Sequence, residues 1–178
     1  MKRGRRAFMR HTAIGAGSLS LALVLPACAR GRDDAGAPAG APLKPNAWVE
    51  VVPQGRVRFV CGGTEMGQGS ATGLAMLLCE ELELPLSALD LAIAPADRAY
   101  DHAEYRLQTT GGSSSIRSEF VVISRAGASV RELFRAAAAR RWGVPPEQVA
   151  IRDGRFVGPA SGAPLTYGEL VGDARGLP

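Results

Sequence analysis

Two glycine-rich stretches of the sequence combine residue types that could bind a ligand. The first, residues 62–69 (GGTEMGQG), lies between a strand-like run at 56–61 and a helix-like run at 71–84. The glycines on either side of Gln68 remove Cβ atoms that would keep a ligand off the backbone, and they permit positive φ. The following helix presents unpaired N–H groups and a positive dipole end. An anionic or amide-rich ligand suits this turn, and an ordinary strand-to-helix turn is the alternative.

The second stretch, residues 109–115 (TTGGSSS), directly precedes a long run with helical apolar spacing. Gly111 and Gly112 let consecutive amides converge into a concave nest, and the three serine hydroxyls can cap or donate. The helix that follows can point its N-terminus at an anion, and a capped helix with a flexible lead-in is the alternative. Two such stretches in one small domain favour a single ligand shared between them.

The only histidine after residue 32 is His102, which lies in an aperiodic polar segment at 95–109. With Asp97, Asp101 and Glu104 it could bind a metal ion, but a solvated loop face is the preferred interpretation. A Ser-His-Asp hydrolase built from the serine run, His102 and Asp101 has no spacing that fixes its geometry. No Gly-x-Ser-x-Gly elbow and no HExxH motif occurs. These four residues are therefore predicted to form a solvated loop face.

Other common motifs are weak or absent. Gly67-Gln68-Gly69 begins like a dinucleotide fingerprint, but Thr72 stands at the third glycine position and no P-loop lysine follows a glycine run. The three cysteines, at 28, 61 and 79, have no metal-like spacing. Cys61 and Cys79 are predicted to be small buried thiols, with a disulfide between them as the alternative.

The periodicity of the remaining chain predicts the elements that position these stretches. The predicted elements are a hairpin at 47–61 with its turn at 53–55, a helix at 71–84 capped by Ser70, a strand at 87–94, a long helix to about Trp142, a small hairpin at 149–157 and a short final helix capped by Thr166. The long helix is predicted to bury Ile116, Phe120, Ile123, Gly127, Val130, Phe134 and Ala137. The fold class is α+β, with a small mixed β-sheet and two main helices packed on it.

The N-terminal region is predicted to be an export signal followed by a linker. Residues 1–29 have a basic start, an apolar run at 13–25 and small residues at 27–29, and the run at 5–10 (RRAFMR) resembles a twin-arginine signal. A plain secretory signal and lipidation at Cys28 are the alternatives. Residues 30–46 are rich in Ala, Gly and Pro and are predicted to be a flexible linker, with the folded domain at 47–178.

The charge distribution argues against a nucleic-acid partner. The formal charge is +4, but residues 1–32 hold seven Lys and Arg and no acidic residue. The rest of the chain has fourteen basic and seventeen acidic residues, a net of −3. No later cluster of basic residues with interleaved aromatics appears, so no nucleic-acid surface is predicted.

Taken together, these motifs resemble the molybdenum hydroxylases, the xanthine dehydrogenase and aldehyde oxidase family. GGTEMGQG at 62–69, the strand exit at 93–97 and TGGSSS at 110–115 occur in the family's order and spacing. Asn-Ala-Trp-Val at 46–49 and Tyr-Gly-Glu-Leu at 167–170 are similar to the large subunit of isoquinoline 1-oxidoreductase-like enzymes, which also begin with a twin-arginine signal. The resemblance covers essentially the whole chain after the leader.

The resemblance implies a site, a cofactor and partners. Gln68 matches the family's glutamine at the molybdenum cofactor, and the serine-rich stretch matches the loop that holds the pterin and its phosphate. The implied cofactor-binding residues are Gly67, Gln68, Gly69, Thr110, Gly111, Gly112, Ser113, Ser114 and Ser115. The implied cofactor is molybdopterin, with the cytosine dinucleotide as one form. The implied partners are the remainder of the large subunit, a [2Fe-2S] small subunit and an electron acceptor such as a cytochrome.

Family large subunits are several times longer than these 178 residues. The family's catalytic glutamate lies far downstream of the matched region, and neither Glu65 nor Glu104 matches it. We therefore expect an N-terminal fragment, a truncated product or one piece of a split subunit, located in the periplasm and inactive alone. The reaction implied is hydroxylation of an aldehyde or N-heteroaromatic carbon with water-derived oxygen. A non-catalytic binding or assembly module with the same fold is the alternative.

Overall fold

A computed structural model of the chain describes residues 40–158 and 163–177. The predicted signal at 1–29 and the first ten residues of the predicted linker lie outside the described residues. Within the described ranges, no helix has both the length and the apolar character needed to cross a membrane.

The first sheet is mixed, as predicted. Strand β1 (Val49–Val51) pairs antiparallel with β2 (Val57–Cys61), and β2 pairs parallel with β3 (Leu89–Ile93), giving the order β1-β2-β3. The hairpin turn contains Gly55 at a φ of +93°. Alternate residues of β2 face the core, and each of these is buried. Helix α1 (Ser70–Leu82) forms the crossover between the two parallel strands.

Helix α2 (Ser115–Trp142) packs beside α1, and the two helices run in the same direction. A Cβ at Gly73 would lie 3.1 Å from Ile116 Cδ1, so the helix starts are adjacent. Further along, a Cβ at Gly127 would lie 2.7 Å from Glu81 Cβ, which places the end of α1 against the middle of α2. Both helix N-termini therefore lie at the same end of the domain.

The predicted apolar face of α2 is buried only in part. Ile123, Val130 and Phe134 are fully enclosed, and Gly127 and Ala137 are also buried. Ile116 and Phe120 are 42% and 51% exposed, so their predicted burial was wrong. Ile116 lies against Gly73 of α1, which has no side chain to cover it.

The C-terminal part forms a second, antiparallel sheet of β4 (Ala150–Arg152), β5 (Arg155–Val157) and β6 (Leu165–Thr166). The predicted hairpin is β4 and β5, and β6 is an additional strand that the sequence did not predict. Phe156 of β5 packs with Phe134 and Tyr167 in an aromatic cluster. The prediction of one small sheet was therefore incomplete.

The final helical segment consists of a 3₁₀ turn (Gly168–Leu170) and helix α3 (Val171–Ala174). Thr166 caps this segment as predicted, because its hydroxyl accepts from the Glu169 N–H at 3.3 Å. The Glu169 carboxylate in turn accepts from the Thr166 N–H at 2.8 Å, which completes a reciprocal capping box. Three further 3₁₀ turns are Leu86–Ala88, Arg98–Tyr100 and Pro146–Gln148.

The last residues of the predicted linker belong to the fold. Leu43 is 4% exposed and exchanges two backbone hydrogen bonds of 2.8 Å with Val51. Asn46 accepts from the N–H groups of Trp48 and Val49 and donates to Ala126 O, so it ties the chain entry to α2. Extending the linker to residue 46 was therefore wrong. The Pro- and Ala-rich composition gave no sign of these contacts.

Candidate functional site at the meeting of two loops

The two predicted ligand-binding stretches lie at the same edge of the mixed sheet. The glycine loop (residues 62–69) leaves the C-terminal end of β2, and the chain leaving β3 leads to the serine loop (residues 110–115). Since β2 and β3 are parallel, their C-terminal ends lie side by side, where α/β sheets commonly bind ligands. The N-termini of α1 and α2 lie at this edge as well.

A direct hydrogen bond joins the two loops. The Thr64 N–H donates to Thr110 Oγ1 at 2.8 Å. A Cβ at Gly63 would lie 3.3 Å from the same oxygen, so the loops are in close contact. Gln108 adds a second connection, because its Nε2 donates to Gly62 O at 3.1 Å. The predicted meeting of the two stretches is confirmed.

The N-terminus of α1 is capped by Glu65 rather than by Ser70, so the predicted serine cap was wrong. The helix begins after Gly69, which has a φ of +77° and provides no side-chain cap. The Glu65 carboxylate instead accepts from the N–H groups of Gly67, Gly69 and Ala71 at 2.8, 2.9 and 3.1 Å. These bonds lower the pKa of Glu65 below its ordinary value, with the Gly69 amide as the largest cause. A carboxylate of the chain therefore occupies the first anion position that the sequence predicted.

The amide of Gln68 is directed into its own loop. Its Oε1 accepts from the Met66 N–H at 2.6 Å, and its Nε2 donates to Thr64 O at 2.9 Å and to Ser70 Oγ at 2.7 Å. Both amide hydrogens are thereby used, and one lone pair of Oε1 is left for a ligand. Gln68 therefore braces the glycine loop, and a donor contact to a ligand would have to replace one of these bonds.

The N-terminus of α2 is open by comparison. Ser114 precedes the helix without a side-chain cap, because its hydroxyl donates to Gly111 O at 2.7 Å. Within the described ranges, the N–H groups of Ser115, Ile116 and Arg117 have no protein acceptor. Gly112 and Ser113, with φ of +60° and +52°, turn the serine loop into this helix start. Three unpaired amides at a positive dipole end form an anion-binding arrangement.

A groove of about 570 Å³ adjoins both loops. Its lining combines polar and apolar groups: Gly62, Thr64, Met66, Ile93, Ala94, Ala96, Gln108, Thr109 and Thr110. Met66 and Ile93 are 68% and 49% exposed. The groove is open to solvent and is large enough for a bulky heterocyclic ligand.

The sequence predicted that His102 lies on a solvated loop face. This prediction was wrong, because the residue is only 4% exposed. Asp97 instead caps the 3₁₀ turn, accepting from the Ala99 N–H at 3.0 Å, and Glu104 pairs with Arg117 at 2.9 Å. Across the described part of the chain, no three His, Cys, Asp or Glu side chains are grouped to hold a metal ion.

The hydrogen bonds of His102 fix its role toward the nearest serine. Its Nδ1 accepts from the N–H groups of Glu104 and Tyr105, so in the neutral ring the proton is on Nε2. Nε2 lies 2.5 Å from Ser118 Oγ and therefore donates to it. A histidine that donates to a hydroxyl cannot remove its proton, so this pair is not the nucleophile and base of a hydrolase.

Two titratable side chains lie beneath the loops. Burial raises the pKa of the Cys61 thiol and of the Glu119 carboxyl above their ordinary values. Both line a small enclosed cavity with Ser70, Thr109 and Ser115. Cys61 and Cys79 are both free and buried, so the buried-thiol prediction is confirmed and the disulfide alternative was wrong.

These features define an α+β ligand-binding domain with an anion-binding helix start at the joined ends of two parallel strands. A family model described as "Molybdopterin cofactor-binding domain" matches residues 7–177. The chain belongs to this family, the cofactor-binding domain of molybdenum hydroxylases, so the resemblance in the sequence is confirmed.

Two curated relatives are much longer than this chain. The beta chain of isoquinoline 1-oxidoreductase from Brevundimonas diminuta is 36% identical over 136 residues, covering 75% of this chain and 17% of the relative. The B chain of nicotinate dehydrogenase from Pseudomonas putida is 29% identical over 124 residues, covering 70% of this chain and 10% of the relative. The chain thus spans less than a fifth of either relative.

Solved structures show the same fold. The quinoline 2-oxidoreductase from Pseudomonas putida 86 superposes with a TM-score of 0.54 at 24% identity, over 70% of this chain and 15% of that one. The Cu,Mo-CO dehydrogenase in its carbon monoxide reduced state gives a TM-score of 0.53 at 24% identity, over 68% of this chain and 15% of that one.

Sequence reasoning missed three residues that build the site. Glu65 was visible as a carboxylate just before a helix start, a known capping signal. Gln108 and Ser118 gave no local signal, because their partners Gly62 and His102 are distant in sequence. The assigned cofactor contacts of the two loops stay predictions.

Proposed function

We propose that this chain is the N-terminal cofactor-binding portion of a molybdenum hydroxylase that oxidises aldehydes or N-heteroaromatic compounds with water-derived oxygen. The observation that carries the proposal is the Thr64–Thr110 hydrogen bond, which joins the two loops that the family resemblance assigns to one cofactor. The substrate class is supported by the names of the two relatives, which refer to isoquinoline and nicotinate.

The residues of the site fit a cofactor with an anionic end. The amides of Ser115, Ile116 and Arg117 would bind a phosphate, assisted by the exposed hydroxyl of Ser113. The pterin would lie along the groove, against Thr64 and Thr110, and Gln68 would hold the glycine loop in position. When bound, the cofactor supplies two-electron redox chemistry. The cytosine dinucleotide form would place an additional phosphate and base at this edge.

The cofactor's negative charge would lie toward α2 rather than α1. Glu65 already places a carboxylate at the start of α1, and its lowered pKa keeps it ionised at neutral pH. A second anion there would be repelled. The first turn of α2 has no acidic residue and no side-chain cap, and Glu104 from the preceding segment is paired with Arg117.

The chain is proposed to be inactive alone. Glu65 and Glu104 are both held in hydrogen bonds or ion pairs and are poorly placed to move a substrate proton. Turnover would need the remainder of the large subunit and a [2Fe-2S] subunit, with electrons passing to an acceptor such as a cytochrome. Exposed apolar side chains support such packing, and two of them, Met66 and Ile93, line the groove. The others include Leu91, Leu107, Ile116, Phe120 and Val121.

We further propose export to the periplasm by the twin-arginine route, with Cys28 as an alternative membrane anchor. This proposal is supported by the arginine pair at 5–6, the apolar run and the small residues at 27–29. A route that carries folded proteins suits a domain that binds a cofactor. A fusion of residues 1–46 to a reporter would test it, and replacing both arginines by lysine should abolish export.

A non-catalytic binding or assembly module is the second candidate. The internal engagement of Gln68 favours it, since this side chain has no amide hydrogen left for a ligand. Such a module would keep the fold and would not retain molybdenum when it is produced with its partner gene products.

Molybdenum and pterin analysis of the purified chain, produced alone and with its neighbouring gene products, tests the proposal. Ser115→Asp places a carboxylate at the open helix start, where it suits the helix dipole but repels an anionic ligand. Ser129→Asp makes the same change at an exposed position of α2 away from the site. We expect cofactor in the wild type and in Ser129→Asp and a large loss in Ser115→Asp. No molybdenum in either wild-type preparation would overturn the enzyme assignment.

A further inference from the structure

A chain of partly buried hydrogen bonds leads from the segment after β3 into the serine loop. Among the described residues, the buried polar or charged side chains are Glu50, His102 and Ser114, and the last two belong to this chain. His102 Nε2 donates to Ser118 Oγ, Ser118 Oγ donates to Ser114 O at 2.9 Å, and the Ser114 hydroxyl donates to Gly111 O. The three bonds connect the imidazole to the first residues of the serine loop and of α2.

The backbone and the ring face of His102 also make contacts within the turn at residues 102–107. The backbone N–H of His102 donates to Leu107 O at 3.0 Å, and the backbone carbonyl of His102 accepts from the Arg106 N–H at 2.9 Å. The Tyr105 ring stacks on the imidazole with centroids 4.4 Å apart. The Tyr105 hydroxyl reaches the serine loop, since a Cβ at Gly112 would lie 3.3 Å from it.

The charged groups around this turn come from both elements that it contacts. From α2, Glu119 interacts with the imidazole, and Arg117 pairs with Glu104 at 2.9 Å. From the segment after β3, Asp101 pairs with Arg98 at 3.8 Å. The direct partners of the imidazole nitrogens are nevertheless uncharged amides and one hydroxyl, which suit a neutral ring with its proton on Nε2.

We infer that His102, as the neutral Nε2–H tautomer, is the positioning residue of the serine loop. It holds Ser118 and Ser114 so that the first amides of α2 converge on one point. The ligand named here, the molybdenum cofactor, rests on the proposed function. The positioning itself is a property of the chain without cofactor, and it can be measured there.

Three variants test the inference in the cofactor-free chain. His102→Asn keeps an acceptor near the position of Nδ1 but cannot reach Ser118, and Ser118→Ala removes the same bond from the other side. Ser129→Ala is the control, since it removes a hydroxyl of the same helix that donates to Ala126 O at 2.9 Å. Amide hydrogen exchange is read at Ser114 and Ser118, whose N–H groups donate to Gly111 O and Ser114 O.

Exchange at these two amides should become about fivefold to tenfold faster in His102→Asn and Ser118→Ala, because one hydrogen bond of ordinary strength is lost. The double variant should be no faster than either single one, and Ser129→Ala should match the wild type. Nitrogen NMR of the imidazole should report the Nε2–H tautomer. Unchanged exchange in both single variants, or the Nδ1–H tautomer, would overturn the inference.

Cofactor content then separates this inference from the proposed function. If wild-type chain produced with its partners holds no pterin, the proposed function fails, while the exchange data still decide the role of His102. If the wild type is loaded, we expect similar reduced occupancy in His102→Asn and Ser118→Ala. Full occupancy in both variants would contradict a positioning role toward the cofactor.

Discussion

Thr64 and Thr110, which are 46 residues apart in sequence, are joined by a hydrogen bond of 2.8 Å between a backbone N–H and a side-chain hydroxyl. This bond lies where the glycine loop and the serine loop meet. It makes the two loops a single binding surface, so that the position of one loop depends on that of the other.

Thr110→Val tests this coupling, because valine has nearly the same shape and lacks the acceptor. The Thr64 N–H would lose its partner in an exposed position, so urea unfolding should show a loss of about 0.5–1.5 kcal/mol. Cofactor retention should fall as well. Thr72→Val is the control, because this threonine is exposed on α1 and no hydrogen bond of its side chain occurs within the described ranges. Equal stability and retention in both variants would argue against the coupling.

Glu65 should make the stability of the glycine loop depend on pH. Its folded pKa is lowered by the amides of Gly69, Ala71 and Gly67, so its contribution is fully present above the unfolded pKa and is lost as the pH falls through the lowered folded pKa. The free energy of unfolding should therefore fall less steeply at acidic pH in Glu65→Gln than in the wild type. Glu147→Gln, at an exposed glutamate without a hydrogen bond in the described region, is the control. If the free energy of unfolding of Glu65→Gln fell at acidic pH as it does in the wild type, these hydrogen bonds would contribute nothing to stability.

Gly168 and Gly172 form a matched pair for a packing test. A Cβ at Gly168 would lie 2.4 Å from Gly55 N and 2.6 Å from Pro53 O, and both are backbone atoms that cannot move aside cheaply. Gly168→Ala should therefore destabilise by about 3 kcal/mol or more. A Cβ at Gly172 meets nothing within 4 Å, so Gly172→Ala in α3 should be neutral or stabilising by up to about 1 kcal/mol. Calorimetry of the two variants checks the pair, and similar melting temperatures would refute the predicted difference.

Gln68→Ala should loosen the glycine loop and lower cofactor occupancy in the assembled complex. The substitution removes three bonds, to Met66 N, Thr64 O and Ser70 Oγ. Exchange at the Met66 amide should therefore accelerate even without cofactor. Unchanged occupancy, measured as molybdenum per chain, would count against any role of Gln68 at the cofactor.

Local patterns predicted the elements and the pairing of the two loops better than the contacts within them. The spacing of Ile123, Val130 and Phe134 identified the buried face of α2 correctly. Periodicity cannot tell where along a helix the core ends, so the burial predicted for Ile116 and Phe120 was wrong. The sequence predicted Ser70 as the cap of α1, and Glu65 takes this role in the structure. The loop passes through Gly67 and Gly69, with φ of +98° and +77°, and this path returns the Glu65 carboxylate to the helix start.

The shortest elements and the longest-range contacts carried no usable signal. Strand β6 has two residues, too few for an alternation pattern. The burial of His102 depends on Ser118, 16 residues later and on another element. A polar segment that includes a histidine therefore reads as a solvated loop in sequence, although in the fold it supports the serine loop.

The most direct test of a cofactor held at the start of α2 is amide hydrogen exchange across both loops, with cofactor-loaded and cofactor-free preparations compared. We predict new protection at Ser115, Ile116 and Arg117, whose amides lack acceptors in the described chain, and little change at Gly67, Gly69 and Ala71, which Glu65 already holds. Protection confined to the Glu65-bound amides, with Ser115, Ile116 and Arg117 unchanged, would contradict it.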